Sequence, residues 1–259
     1  MIASEKLSIR SIRAAHSVLR TVLNHAARIE IVERNVAAII KPPSLQRREI
    51  KILTSEQIAA ALEGVKTHPS LFPVVALALG TGMRRGEIAA LRWSDIDLDR
   101  NSGASVRIER SLEQTGKGLR IKSTKTAAGR RTVSLPQFVV DALRAHRLEQ
   151  KKLQMALGAG KLPKDSPVFG DHEGNWILPS AISDRWREAV VNRGLPKVTF
   201  HALRHSHASA LIAAGLDVIS VSRRLGHASP SLTLSVYGHL FTNNDDKAAA
   251  AIDAALNIT

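Results

Sequence analysis

No cysteine occurs anywhere in the 259 residues. That absence removes a disulfide framework, a thiolate metal site and a cysteine nucleophile, and it suits a reducing cytoplasm. Aromatic side chains are scarce at 3%, and Tyr237 is the one tyrosine of the chain. Negative charge is short as well: 23 Asp+Glu stand against 37 Lys+Arg, a net charge of +14. Such an excess favours a polyanionic partner, nucleic acid first, over neutral or acidic small molecules. Long apolar runs are missing too. Leu71-Phe72-Pro73-Val74-Val75-Ala76-Leu77-Ala78-Leu79-Gly80 falls well short of the roughly 20 residues a spanning helix needs, so it reads as a buried core helix and no membrane partner is expected. Glu5, Lys6 and Arg10 interrupt the start before the apolar region of a secretory signal can form. No internal repeat and no long low-complexity segment is present.

The hydrophobic pattern is mostly helical. Ile9, Ile12, Ala15, Leu19, Val22, Leu23 and Ala26 form one apolar stripe on a helix of about five turns. A second, shorter helix is predicted over 36–40, capped by Asn35 and ended by Pro42-Pro43. About fifty residues are too few to bury a core alone, so residues 1–43 must pack on something else. A linker is expected over 44–50, and the main domain over 51–259. It opens on a capping box, Thr54-Ser55-Glu56-Gln57, followed by a helix through Ile58, Ala61, Leu62 and Val65. The next helix is predicted over 69–79, with Gly80-Thr81-Gly82 as its breaker, and a short one follows over 84–91. The period then changes from 3.6 to 2. Val106 and Ile108, Leu119 and Ile121, and Arg131-Thr132-Val133-Ser134-Leu135 predict three short strands in one small antiparallel sheet. Helices are expected again over 136–156, 179–194, 200–214, 217–225, 230–237 and 244–257. The fold class is mainly α with a small antiparallel β-sheet, α+β.

Several residues suit attack on a DNA phosphodiester. That reaction needs a nucleophile, cations on the nonbridging oxygens as charge builds, and an acid for the departing 5′ oxygen. A lone tyrosine is more often a half-buried core residue, but Tyr237 sits among histidines in a basic chain, which makes it a candidate nucleophile. Arg84 and Arg204 are candidate phosphate clamps, since a guanidinium is always charged and matches phosphate bidentately. Lys125, in the turn between the second and third strands, has the reach to protonate a leaving oxygen. His201 and His227 can move protons or hydrogen-bond phosphate. Glu87, one turn beyond Arg84, suits orienting a basic group. Arg223-Arg224 reads equally as a phosphate contact or a solvated helix face, and His205 and His207 read as structural.

The order and spacing of these residues are specific. Thr81-Gly82-Met83-Arg84-Arg85-Gly86-Glu87 with Leu91-Arg92-Trp93-Ser94-Asp95 resembles the first arginine box of the tyrosine recombinases, the phage integrase family. Lys125-Thr126 followed by Arg131-Thr132-Val133 resembles its hairpin lysine. His201-Ala202-Leu203-Arg204-His205 is similar to its His-x-x-Arg box, and Leu225-Gly226-His227 with Tyr237 matches its final histidine and nucleophile. The resemblance selects Arg84 over Arg85 through the spacing to Glu87. It implies a site-specific recombinase that cleaves and rejoins double-stranded DNA through a 3′-phosphotyrosyl link, without metal or nucleotide cofactor, in phage or mobile-element integration or excision. It also implies a homotetramer in the synaptic complex, accessory directionality factors, and a cytoplasmic, nucleoid-associated location in a bacterial cell. Tyr237 would be the nucleophile, Arg84 and Arg204 the clamp, Lys125 the general acid, His201 an aid to proton transfer from the tyrosine, and His227 a phosphate ligand. Residues 1–43 resemble the last helices of the family's core-binding domain, shortened, with Asn35-Val36 where relatives have Asn-Pro. The segment 245–256 resembles a C-terminal helix that docks on a neighbouring subunit, and packing in cis fits it nearly as well.

Three other readings stay open on the sequence. A metal-dependent hydrolase would use His201, His205 and His207, although no acidic residue lies between them to act as base and Arg204 would sit beside the metal. A type IB topoisomerase would share the tyrosine chemistry without synapsis. A truncated, recombination-deficient remnant would only bind DNA.

Overall fold

The computed structural model describes residues 7–44, 51–99, 103–123, 129–171, 173–241 and 245–256. They divide at Glu49/Ile50 into two compact units. In the first, α1 (Ile9–Arg28) starts on Ser8, whose side chain accepts from the Ser11 N–H. The stripe seen in the sequence is real but shallow, for no residue of α1 is fully buried. The expected second helix is only a 3₁₀ turn over Val36–Ala38, and Asn35 makes no cap hydrogen bond. Its amide instead donates to the Arg20 carbonyl and to Asn24 Oδ1, at 2.9 and 2.7 Å, tying the turn back to α1. His16 Nε2 lies 3.0 Å from the Ala37 carbonyl, and Ala37 is the buried point of this unit.

The second unit opens on α2 (Ser55–Val65) with the predicted capping box complete, Thr54 accepting from the Gln57 N–H and Gln57 accepting from the Thr54 N–H. The core helix is α3 (Phe72–Thr81), buried from Pro73 through Thr81 and packed on α5 (Gln137–Ala156) and α7 (Phe200–Ala213). A helix apolar on every face belongs inside a domain, and each fully buried Val or Leu contributes about 1.5–3 kcal/mol. Gly80 and Thr81 continue α3 instead of breaking it. The break comes at Gly82 alone, in the left-handed conformation at φ 66°. Arg84 follows at the N-cap of α4 (Arg85–Ala89).

The expected single sheet is two. One is three-stranded, in the order β1 (Ile96–Asp97), β2 (Ser105–Ile108), β5 (Arg131–Ser134), all antiparallel. The other is a hairpin of β3 (Arg110–Thr115) and β4 (Gly118–Ser123). Leu119 and Ile121 alternate as a strand should, yet both are exposed, so they give β4 no buried face to join the first sheet. Only Leu112 of the hairpin is buried. The hairpin lies against α4 at Gly86, where an added Cβ would stand 2.7 Å from the Leu112 carbonyl oxygen.

The remaining helices are α6 (Pro179–Asn192), α8 (Val218–Leu225), α9 (Pro230–Tyr237) and α10 (Asp245–Leu256). One large apolar cluster runs from Leu53 to Leu203. A second, small one holds Ala208, Ile212, Val221, Leu225 and Tyr237, so the tyrosine is seated apart from the main core. Among the described residues no helix is long and apolar enough to cross a membrane.

Candidate active site

The C-terminal end of α8 gathers the cations. A helix leaves its last carbonyls without intrahelical partners. Here three successive carbonyls receive guanidinium donors from three distant segments. Arg131 Nε donates to the Arg224 oxygen at 2.8 Å, Arg204 Nη2 to Leu225 at 2.8 Å, and Arg84 Nη2 to Gly226 at 3.0 Å. The negative end of the helix dipole offsets part of their mutual repulsion. Glu87 offsets more. Buried at 3% exposure, it accepts from Arg84 Nη1, Arg131 Nη2 and the Arg84 backbone N–H, each at 2.8 Å. Burial alone would raise its pKa, but the Arg131 hydrogen bond and charge, then the Arg84 N–H and charge, hold it below the ordinary carboxylate value. One carboxylate facing three guanidiniums leaves the spot positive.

Arg204 is 3% exposed and donates through Nη1 to the Gly82 carbonyl at 2.6 Å. Burial first and Arg84 second bring its pKa down to about 9, against the opposing pull of Glu87, so it stays charged at neutral pH. Gly82 is required for this approach. A Cβ there would lie 2.6 Å from His207 Cδ2 and 2.8 Å from Leu225 Cδ2, at a φ that side chains resist. Arg84 has a 40% exposed side chain and opens on a cleft of about 1110 Å³ that is also lined by Arg85, Lys122, Arg187, Lys197 and His201. The buried arginine is thus fixed and its neighbour can still meet an anion. Arg85, by contrast, donates to Ser183 Oγ at 2.6 Å and stays off the α8 end, which separates the two adjacent arginines by geometry.

His201 and His205 lie one turn apart on α7, with ring centroids 4.8 Å apart, edge to face. His201 is exposed on the cleft; burial, then Arg204, Arg84 and Arg85, lower its pKa. His205 Nδ1 lies 2.6 Å from the Tyr237 hydroxyl. Burial, then His201 and Arg204, push His205 down to about 4. Tyr237 itself is 2% exposed, and burial raises its pKa to about 12 against the pull of Arg204. His227 follows the left-handed Gly226 that ends α8 and places Nδ1 2.8 Å from Thr233 Oγ1 on α9. Burial first, then Arg204, Arg84, Arg131 and His205, bring His227 to about 4.

Tyr237, Arg84, His201, Arg204 and His227 therefore meet in one region linked through the α8 terminus. Lys125 lies outside the described residues. Two participants were not picked out from the sequence. In sequence Arg131 reads as a strand residue flanking the hairpin-lysine motif and not as part of the arginine cluster, because its link to Glu87 spans 44 positions. His205 reads as structural in sequence, although its spacing from His201 puts it on the same helix face. Arg224 is held by the Gly80 and Ser134 carbonyls and His207, so the solvated-face and phosphate readings both miss its structural tie, while Arg223 is exposed. His207 turns to the Leu79 carbonyl at 2.7 Å, so the three histidines of the metal reading do not converge.

Comparison with known proteins bears on the family and the fold. The profile described as Phage integrase family matches residues 51–244. The chain belongs to that family. It is 29% identical over 263 residues to a protein named tyrosine recombinase XerC-like from Caldanaerobacter subterraneus subsp. tengcongensis, covering 95% of this chain and 66% of the relative. The ICEBs1 integrase of Bacillus subtilis is 27% identical over 251 residues, covering 96% of this chain and 67% of the relative. The chain thus spans about two thirds of the length of these relatives. Among solved structures, the Tn1549 transposon integrase in complex with transposon right end DNA superposes at a TM-score of 0.78 with 21% identity, covering 97% of this chain and 81% of that one. The lambda integrase bound to DNA gives 0.55 with 18% identity, covering 85% and 71%. These two matches establish a shared fold, the tyrosine recombinase catalytic architecture.

Proposed function

We propose that this integrase-family chain cleaves and rejoins double-stranded DNA at a specific site through a 3′-phosphotyrosyl intermediate, in the integration or excision of a phage or mobile element. The observation that carries it is the convergence of Arg84, Arg131 and Arg204 on successive carbonyls of the α8 end, next to the histidine that touches Tyr237, His205. Arg84 and Arg204 hold the nonbridging oxygens as charge develops, and Glu87 and Arg131 fix their planes. Tyr237 attacks phosphorus, and the 5′ oxygen leaves with a proton from Lys125, the role the family gives that residue. His227 hydrogen-bonds the phosphate and His201 aids proton movement. A phosphotyrosyl diester keeps much of the broken bond's free energy, so rejoining needs no nucleotide. Residues 1–43 serve as the helical DNA-binding segment, 44–50 as the linker and 51–259 as the catalytic domain. Four copies assemble on two duplexes, with accessory directionality factors choosing the product.

The test uses a nicked duplex selected by the protein from a randomised pool. After denaturation, a covalent protein–DNA band is expected with or without EDTA, and none from Tyr237→Phe. A band abolished by EDTA refutes the tyrosine route, and binding without any band leaves a DNA-binding remnant. Holliday junctions between two duplexes are expected from a recombinase and not from a type IB topoisomerase.

A further inference from the structure

The sequence alone gives the second histidine of His201-Ala202-Leu203-Arg204-His205 a structural place. We propose that His205 is the general base that takes the phenolic proton of Tyr237 through Nδ1, an inference that rests on the recombinase reading above. Its Nδ1 lies 2.6 Å from the hydroxyl, at the short end for a hydrogen bond between nitrogen and oxygen. The ring planes are tilted by 57° at a centroid separation of 5.6 Å, so the imidazole meets the phenol at its oxygen end and not by stacking. Among the described residues, the ring contact of His201 is with His205, edge to face. The order of contact is therefore Tyr237, His205, His201, and His201 acts through His205.

The electrostatics supports this geometry. Burial keeps His205 neutral at physiological pH, with a lone pair free to accept. The phenol, pushed up to about 12, does not ionise unaided. With the two values this far apart, the proton moves as the bond to phosphorus forms, when the phenol becomes a strong acid. In balance, the Tyr237 O–H proton passes to Nδ1, the Oη–P bond forms, the P–O5′ bond breaks, and the 5′ oxygen takes a proton from the general acid. In rejoining, the 5′-hydroxyl loses its proton to that acid's conjugate base, the P–O5′ bond forms as the Oη–P bond breaks, and the His205 imidazolium returns its proton to the phenolate.

Two substrates separate this role from simple support of the pocket. The first is the nicked duplex selected by the wild-type chain, on which single-turnover adduct formation is timed. The second carries a 3′-(4-nitrophenyl) phosphate beside a 5′-hydroxyl. Its sealing releases nitrophenolate, which needs neither Tyr237 nor its base but still needs the arginine clamp. His205→Ala is expected to slow adduct formation about 100-fold or more, the usual scale for a lost general base, and to seal the nitrophenyl substrate at the wild-type rate. His205→Asn keeps an acceptor for the phenol but cannot take the proton, and it is expected to be as slow as His205→Ala. Equal losses on both substrates would mean that the pocket has collapsed and would overturn the inference. A rate for His205→Asn within threefold of wild type would overturn it too, leaving His205 a positioning residue. A wild-type chain that forms no adduct at all would sink the recombinase reading, whereas normal adduct formation by His205→Ala would sink this inference alone.

Discussion

The arginine cluster and the tyrosine helix lie within a few residues of each other and are built in opposite ways. Each guanidinium of the cluster is fastened to backbone oxygen, and the ties run between positions as much as 142 residues apart. Arg204 and Glu87 are each 3% exposed; Arg204 bonds the ends of α3 and α8, and Glu87 bonds Arg84 and Arg131. The tyrosine sits on an eight-residue helix whose Leu232 and Leu234 are exposed and whose apolar cluster is separate from the main core. Among the described residues, two side-chain hydrogen bonds leave α9, Thr233 to His227 and Tyr237 to His205, and both end on imidazoles. The arginine half is over-determined and the tyrosine half is lightly held. A reaction that must first bind a backbone and then bring an oxygen into line with phosphorus suits that division, since preorganised cations need no rearrangement at the moment of attack. Local opening is also least costly where buried apolar contacts are fewest.

The largest way to break the contrast is to unsettle the rigid half at its carboxylate. Glu87→Gln keeps the shape but leaves Arg84 and Arg131 without their buried counter-charge, a change that costs about 3–5 kcal/mol in comparable pairs. Chemical denaturation at pH 7 is expected to register that loss. The pH dependence gives a second readout. The folded-state pKa of Glu87 lies below the unfolded value of 4.5, so its stabilisation is present above 4.5 and fades as pH falls through the lower folded value. His205, His207 and His227, held near 4 in the fold, act in the same direction, because the unfolded chain takes up their protons first as pH drops below 6.5. Both proteins should therefore lose stability between pH 6.5 and 4. Only the wild type should lose the further part below 4.5, so a variant with the same acid slope as wild type would show that Glu87 does not carry the ion pair's energy.

Next in size is Arg204→Lys. An ammonium cannot donate to Gly82 and Leu225 and still present a planar fork to phosphate. Adduct formation on the nicked duplex should fall about 10²–10³-fold, the range seen when one oxyanion donor is removed. The same loss is expected on the 3′-nitrophenyl substrate, in contrast to His205→Ala. Gly82→Ala follows at about 1–3 kcal/mol of stability, from a left-handed φ together with a Cβ placed against His207 and Leu225. Thermal melting checks it, and an unchanged melting temperature would show that the α3–α8 approach is loose.

The rigid half was partly legible in the sequence, and the reason is local. The capping box at Thr54, the apolar run of α3 and the short spacing from Arg84 to Glu87 are encoded within a few residues, so periodicity and capping chemistry find them. Gly82 is visible as a turn residue, but Gly80 and Thr81 look alike in sequence and yet stay helical, because a helix interior tolerates them once tertiary burial outweighs propensity. The division into two sheets was not legible. It depends on Arg110–Thr115 pairing with Gly118–Ser123, and neither segment shows a clean buried face. Arg131 was hidden for the same kind of reason, since a guanidinium's partners 44 and 93 positions away leave no local mark. The tyrosine side stood out through composition, as the chain's one phenol. Its immediate partner did not, because in sequence His205 looks like any other polar residue on a mostly buried helix.

The smallest expected effect sharpens the comparison from the lightly held side. Thr233 and Tyr237 are four residues apart on α9 and share a face, and Thr233 Oγ1 meets His227 Nδ1 at 2.8 Å while wholly buried. Thr233→Val keeps the volume and removes the hydroxyl, leaving one imidazole nitrogen of a half-buried histidine without that partner. The cost is that of one hydrogen bond, about 1 kcal/mol. If α9 is held as loosely as its exposure implies, that loss should fall on the helix alone: amides of 230–237 should exchange about fivefold faster while those of α3 and α7 keep their rates. Faster exchange spreading to α3 would mean that the two halves open together, and the contrast between a fixed arginine cluster and a movable tyrosine helix would then be wrong.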